Sequence, residues 1–356
     1  MRTGGDTRQP ELPLLVFVHL GERIPKYALE NFNSIKNEFA DISLWVITDS
    51  HRISRKLQKR GLQTFYVDNH QINEEFYDEN LSHSKEFRGK FWYRTIQRFD
   101  AIASFQEVYK KPVIHLENDI WIANDFPFKK FDELKGAIAF PLLNKSQGVA
   151  SVLFLRSEES SKQLVQLVHQ LVQKDSSNTD MSILGQIAIL GLMNFSSLPT
   201  LPPNQIKEIG ETTFSENFEI FNGCFDAAAY GVYYLGTDPR NARGVSHLYT
   251  LRKEHKLPFG ISDIIYIAES SSIRVTALEF EYSLFCLHNH SKNAKIWGHN
   301  RESYLNSHLK VKEEGCLKTQ KIYFLILLYG TYKYVSRRFR KYLVDPLISV
   351  VNIRGA

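Results

Sequence analysis

Lys111-Pro-Val-Ile-His-Leu-Glu117-Asn-Asp119-Ile-Trp-Ile122 is the stretch whose reading decides the fold. Val113, Ile114 and Leu116 form a short apolar run after a helix-like segment, the pattern of a parallel strand buried on both faces. The run stops at Glu117. Side chains alternate along an extended chain, so Glu117 and Asp119 are expected to project together while Asn118 projects elsewhere. Two carboxylates at the carboxyl end of a parallel strand lie where open α/β sheets bind ligands. Mg²⁺ or Mn²⁺ is the natural occupant, completed by water and substrate phosphates. The competing reading is a solvated loop, because acidic pairs are common.

The preceding chain supports a parallel sheet covered by helices. Leu14–Leu20 reads as a strand, Gly21 as a turn and Pro25–Asn37 as a helix. Ile42–Thr48 is a second strand, Arg52–Arg60 a helix and Gln63–Val67 a third strand, giving β-α-β-α-β. Residues 69–90 are polar and patternless, and a long surface loop is expected there. Phe91–Val108 resumes a helix on which Arg94 and Arg98, four apart, share one face. That face either meets phosphates or is solvated.

Composition bounds the function. The chain has 356 residues, 43% hydrophobic and 13% aromatic, enough for a packed core. Its formal charge of +5 is uneven: residues 321–356 hold seven Lys/Arg against one Asp, which leaves the rest one unit negative. A basic nucleic-acid-binding body is therefore not indicated, and no nucleic-acid partner is expected. Met1–Pro10 lacks the apolar core of a secretory signal. Cys224, Cys286 and Cys316 are odd in number and widely spaced, against a disulfide framework or a Cys-based zinc site. A cytoplasmic location fits these features.

Downstream, Val149–Leu155 is an apolar strand and Glu158–Gln173 an amphipathic helix. In Asp175-Ser-Ser-Asn-Thr-Asp180-Met-Ser-Ile-Leu184 one of Asn178, Thr179 or Asp180 caps a helix, and Asp180 is either that cap or a ligand contact. Asp226, before Ala227–Ala229 and Gly231, is a cap or a site carboxylate; the small residues permit close approach of backbone or ligand. Leu284-Phe-Cys-Leu-His288-Asn-His290-Ser-Lys292 repeats the opening logic, an apolar strand running into two imidazoles on one side. With Lys292, Lys295 and Trp297 these His residues either complete a site for metal and diphosphate or are structural.

In the order of these motifs, over roughly residues 14–297, the chain resembles metal-dependent glycosyltransferases of the GT-A fold, especially the family-8-like branch that uses nucleotide-sugar donors. Those enzymes place an Asp-x-Asp triplet after a strand, and Glu117-Asn118-Asp119 looks like it with Glu in first place. The resemblance implies a mixed, mainly parallel α/β sheet flanked by helices, with Mn²⁺ or Mg²⁺ held by Glu117, Asp119 and one of His288 and His290. It implies donor contacts from His19, Arg98, Asn118 and Lys292, and makes Asp180 and Asp226 the catalytic candidates. It also implies transfer from a nucleotide-diphosphate sugar to a hydroxyl on a glycan or lipid-linked glycan. On this reading residues 1–13 are a flexible N-terminus and 14–310 the catalytic domain, with a nucleotide-binding half 14–122 and a sugar/acceptor half 123–310. Residues 311–356 are a basic-aromatic, amphipathic helical tail.

Two alternatives remain. A sugar-nucleotide nucleotidyltransferase shares sheet and metal but typically carries a Gly-rich loop after the first strand, where this chain has Gly21 alone. A non-catalytic membrane-surface binding protein would put the function in the tail. Ile322–Tyr332 is about half of the ~20 apolar residues that span a bilayer. Arg337, Arg338, Arg340 and Lys341, interleaved with Phe339 and Tyr342, suit the anionic inner face of a membrane, where each cation contributes on the order of 1 kcal/mol. A helix packed on the enzyme body is the other reading of the tail. The peripheral-membrane expectation predicts that the full chain co-sediments with anionic liposomes at low salt while a version ending at Gln320 does not; equal behaviour of the two refutes it.

Overall fold

A computed structural model describes residues 12–204, 212–235, 264–269, 272–277, 280–292 and 294–297. Residues 1–11, Cys316, the expected domain end at 310 and the whole of the 311–356 tail lie outside the described residues. The strands are β1 (Leu14–His19), β2 (Leu44–Thr48), β3 (Gln63–Tyr66), β4 (Val113–Leu116), β5 (Ile120–Ile122), β6 (Ile138–Asn144) and β7 (Gln147–Gly148). They continue as β8 (Val152–Leu155), β9 (Phe195–Leu198), β10 (Gly223–Cys224), β11 (Ile264–Glu269), β12 (Ser272–Ala277), β13 (Phe280–Leu284) and β14 (Cys286–His288). The helices are α1 (Lys26–Glu38), α2 (His51–Gln58), α3 (Glu74–Asn80), α4 (Phe91–Tyr109), α5 (Glu158–Lys174), α6 (Asp180–Leu190), α7 (Phe218–Phe221) and α8 (Ala229–Leu235).

The central sheet has the order β3-β2-β1-β4-β8-β6-β7, with β9 also on β6. β3, β2, β1 and β4 are mutually parallel, as is β9 with β6, whereas β8 runs antiparallel to both β4 and β6. The mixed, mainly parallel sheet matches the expectation, and it runs across residue 122, where two halves were expected to meet. Alternation along the fully buried β1 shows how the layers form. Leu14, Val16 and Val18 pack against Ile96, Phe99 and Ile102 of α4 and the apolar faces of α5 and α6. Leu15 and Phe17 turn to the opposite face, against Phe32 and Ile35 of α1 and Ile53 and Leu57 of α2. A smaller sheet, β10-β13-β12-β11, and the pair β14-β5 complete the described structure.

Several local expectations are corrected. Residues 69–90 contain α3, whose seven residues are too few to show a helical period, and its first turn carries Glu74 and Glu75 where acidic side chains favour a helix start. The apolar run Val149–Leu155 is strand only from Val152. Leu284–His288 is not one strand. The chain changes partner at Phe285, leaving β13 in the small sheet and sending β14 to β5. Among the described residues no helix is long and apolar enough to cross a membrane.

The long helix α4 is pinned from behind. Asp100, 2% exposed, accepts hydrogen bonds from Asn73 Nδ2 (2.5 Å) and the Tyr77 hydroxyl (2.5 Å) and lies 3.1 Å from His169 Nε2 of α5. Burial and the Asp100 charge together push the Tyr77 pKa well up, so the phenol stays a donor. Asp100→Ala strands these buried groups and is expected to cost about 3 kcal/mol, read as a lower urea midpoint; an unchanged midpoint would show that α4 is held by apolar packing alone.

Candidate functional site

The acidic stretch leaves β4 in a tight turn. Ile120 N–H donates to Glu117 O at 3.0 Å, so residues 117–120 form a β-turn and not an extended segment. The turn, not strand alternation, brings the Glu117 and Asp119 carboxylates together, which corrects the reason given for their convergence. Asn118 folds back to β1, its Nδ2 donating to Val18 O at 3.0 Å and lying 3.5 Å from His19 Nδ1. From α1 the fully buried Asn31 donates to Asn118 O (3.2 Å) and Ile120 O (2.7 Å), holding the turn from the other side.

β14 lies antiparallel on β5 with His288 opposite Ile120, and Asn289 N–H donates to Asp119 O at 2.8 Å. This register sets His288 Nε2 at 3.5 Å from a Glu117 oxygen and 3.3 Å from an Asp119 oxygen. One ligand atom from each of the three residues lies within 4.8 Å of the others. The His290 ring stacks on that of His288 at 3.8 Å. Lys292, in a left-handed backbone conformation (φ 56°), pairs its ammonium with Asp119 and lies 5.3 Å from the Tyr27 ring centre. Burial pulls the Lys292 pKa down to about 8.

Arg98 joins the second group of carboxylates. Only 6% exposed, it donates to Glu117 at 2.5 Å and pairs with Asp180. Burial opposes ionisation of Glu117, but the charges of Arg98 and His288 prevail and hold its carboxyl down to about 2. Burial raises the Asp180 pKa, with the guanidinium only partly offsetting it. Asp180 is the first residue of α6 and not its cap. That place belongs to Thr179, whose hydroxyl accepts from Ser182 N–H in a reciprocal capping box. The Asp180 carboxylate is thereby left for Arg98.

Asp226 lies behind this cluster. Fully buried, its carboxylate accepts from the backbone N–H of Ala228 (2.7 Å), Tyr230 (3.0 Å), Gly231 (2.7 Å) and His288 (2.8 Å). It ties the start of α8 to β14, the capping alternative of the two readings. A Cβ on Gly231 would collide with His288 O and come within 2.8 Å of Asp226 Oδ2, which is why α8 carries glycine where it crosses β14. The close approach expected of this small-residue stretch is therefore made by backbone.

His19 ends β1 on the same edge of the sheet, its Nε2 3.1 Å from Arg23 O, and burial lowers its pKa to about 4. Next to it Gly21 holds φ 124° and donates its N–H to Asp49 at 2.7 Å, while Arg94 packs where a Cβ would stand and donates to Leu20 O. Arg94 is thus a backbone brace, not a second phosphate contact on the Arg98 face.

Glu117, Asp119, His288, Lys292, Arg98 and Asp180 form one cluster, with His290 stacked on it, Asn118 and His19 beside it and Asp226 beneath it. Asn31, Ser151 and Asn289 escaped the sequence reading. Ser151 is fully buried; its carbonyl accepts from Glu117 N–H (3.3 Å) and its hydroxyl donates to Asp226 O (3.1 Å). The available signal was a polar residue inside an apolar stripe, most plainly Asn31 between Leu29 and Phe32. The donor set fits a divalent cation: two carboxylates and an imidazole nitrogen come within ligand reach of one point, and Nε2 is the His288 nitrogen that faces the carboxylates.

Comparison with protein-family models gives no match, and comparison with curated proteins gives none. Among solved structures the chain is similar to mouse xyloside xylosyltransferase 1 in its apo form (13% identity, TM-score 0.38, covering 58% of this chain and 93% of that one). It is similar to the PaToxG glycosyltransferase (10%, 0.35, 51% and 71%) and to a cytidylyltransferase from Leptospira borgpetersenii (11%, 0.32, 58% and 91%). These neighbours are glycosyltransferase and nucleotidyltransferase structures, all at low identity.

Because α8 positions β14, Gly231→Ala is expected to displace His288 and weaken Mn²⁺ binding by at least about ten-fold in calorimetric titration. Wild-type affinity in that variant would show that the Asp226 clamp does not set the site.

Proposed function

We propose that this protein is a metal-dependent glycosyltransferase of the GT-A type, moving a sugar from a nucleotide-diphosphate donor to a hydroxyl acceptor. The observation that carries the reading is the convergence of Glu117, Asp119 and His288 at the end of a central parallel strand, with Lys292 and Arg98 at its edge. The order of the motifs supports the family-8-like branch. Glu117, Asp119 and His288 would hold a divalent cation, which when bound would supply neutralisation of the charge on the leaving diphosphate.

The residues divide the remaining work. Lys292, paired with Asp119, supplies a cation for the diphosphate. Arg98, fixed between Glu117 and Asp180, orients both carboxylates and adds positive charge beside the donor. Asp180 accepts hydrogen bonds from donor-sugar hydroxyls, and His19, Asn118 and Gly21 line the strand edge where the nucleoside lies. In the transfer, the bond from the anomeric carbon to the diphosphate oxygen breaks and a bond to the acceptor oxygen forms. The acceptor proton leaves with the diphosphate, whose oxygens are the basic groups nearest the breaking bond. Asp226 acts as a positioning residue, since four amides occupy its oxygens.

Turnover of nucleotide-sugar donors with and without Mn²⁺ tests the reading. Asp119→Ala and Glu117→Ala should abolish transfer. Both carboxylates are held in largely buried ion pairs, so Glu117→Ala, which strips a partner from the buried Arg98, should also lower the unfolding temperature; circular dichroism separates loss of activity from loss of fold. His288→Ala should weaken the Mn²⁺ dependence clearly and His290→Ala mildly. A fully active Asp119→Ala would refute the metal-site assignment, and identical wild-type Mn²⁺ curves for both His variants would make the imidazoles structural.

A further inference from the structure

Beside the catalytic cluster, the segment between α3 and α4 carries an arrangement that the proposed chemistry does not use. Phe87 and Phe91 are 40% and 38% exposed. The Phe87 ring lies nearly parallel to Trp92 (6.1 Å, 9°), and Trp92 is stacked in turn on His83 (5.6 Å, 30°). Phe91 closes the group edge-on to both Phe87 (6.2 Å) and Trp92 (5.0 Å). The result is a layered aromatic column in which Phe87 and Phe91 stay partly exposed, with the Arg88 guanidinium over the Phe87 ring at 5.1 Å.

The column is held at a cost to the backbone. Arg88, Gly89 and Lys90 take three successive left-handed conformations (φ 50°, 64° and 62°), unfavourable by roughly 1 kcal/mol for each of the two non-glycine residues. Contacts on either side enforce the shape. The Tyr93 hydroxyl donates to Leu81 O and His83 O, both at 3.2 Å, and Lys90 pairs with Glu74 at 2.7 Å. Exposed aromatic rings and a strained loop are both unfavourable for folding, and their coincidence is what motivates a binding role for this segment.

Three connections tie the column to the catalytic cluster. His83 Nε2 lies 2.9 Å from Asn178 O, two residues before Asp180, and Ser82 N–H donates to Ser176 O at 3.0 Å. Helical spacing puts Phe91 and Arg98 on one face of α4, two turns or about 10 Å apart.

We propose that the Phe87–Phe91–Trp92 platform is the acceptor site and that its occupant is a glycan. A pyranose ring offers an apolar C–H face the size of one aromatic ring, bounded by hydroxyls, and the platform offers the exposed parts of Phe87 and Phe91 with the Arg88 guanidinium beside them as a hydrogen-bond donor. A sugar stacked on Phe91 would lie about two turns of α4, roughly 10 Å, from Arg98. The proposal rests on the transferase reading for its chemistry but not for its binding, so the two fail separately.

The test is binding to an array of immobilised oligosaccharides ending in hexoses, pentoses or N-acetylhexosamines, without donor or metal, for wild type, Phe87→Ala and Phe91→Ala. Circular dichroism confirms folding, which substitution of exposed rings should preserve. Wild type is expected to bind a subset of glycans and each variant to lose that binding at least ten-fold. In turnover the acceptor KM should rise while kcat and donor KM stay constant. Absence of glycan binding by wild type, or retention of it by both variants, overturns the proposal. A loss of nucleotide-diphosphate binding in place of glycan binding also overturns it, by giving the platform to the donor base. Glycan binding that depends on Phe87 without any sugar transfer would uphold the platform and refute the transferase reading.

Discussion

The site depends on one short antiparallel pairing, β14 against β5. Three residues on each strand bring His288 to Asp119 across a long separation in the chain, and so few backbone bonds would not hold a strand in place alone. The Asp226 carboxylate provides the missing restraint. It gathers amides from the start of α8 and from His288 itself, so the strand, the helix and the imidazole move as one body. A buried carboxylate that loses its water must recover those hydrogen bonds from the protein, and here four N–H groups supply them.

A similar logic governs the charged layer above. Arg98 is buried at a desolvation cost that two carboxylates offset, and the same pairing settles which oxygens of Glu117 and Asp180 remain for ligands. With Asp119 beside Lys292, the layer holds three carboxylates against two cations, which leaves it with an excess of negative charge. Rigidity comes from outside the layer: Asp100 fixes the back of α4, Asn31 fixes the turn, and the capping box of α6 leaves Asp180 unburdened. Asp100 and Asn31 are buried, and all of these groups are bonded in a way that resists rotation, which keeps the cluster in one arrangement.

The aromatic column beside α4 extends the same scaffold outward. Its loop is joined by backbone bonds to the segment that enters α6, so the platform and Asp180 keep a constant relation. Where a catalytic layer is built from rigid elements, specificity for a second substrate is most readily placed on the loops that border it.

Much of this was legible in the chain alone. The doubly apolar β1 and β4, the α1 and α5 faces and the acidic triplet after β4 each carry a local pattern, because burial on both faces or along one stripe leaves a period in the sequence. That Glu117, Asp119, His288, Lys292 and Asp180 are candidates followed from residue type and position at strand and helix ends, while Arg98, inside α4, followed from the helix face it shares with Arg94 and from the resemblance of the motif order. Tertiary structure decided the rest. The turn at 117–120, the break of the last strand at Phe285 and the antiparallel direction of β8 depend on which strand each segment meets, and pairing partners leave no local period. The capping role of Asp226 and the bracing role of Arg94 were likewise undecidable, because a carboxylate or guanidinium looks the same in sequence whether backbone or ligand satisfies it. Only the positions of the donors and acceptors around it, set by contacts far apart in the chain, distinguish the two.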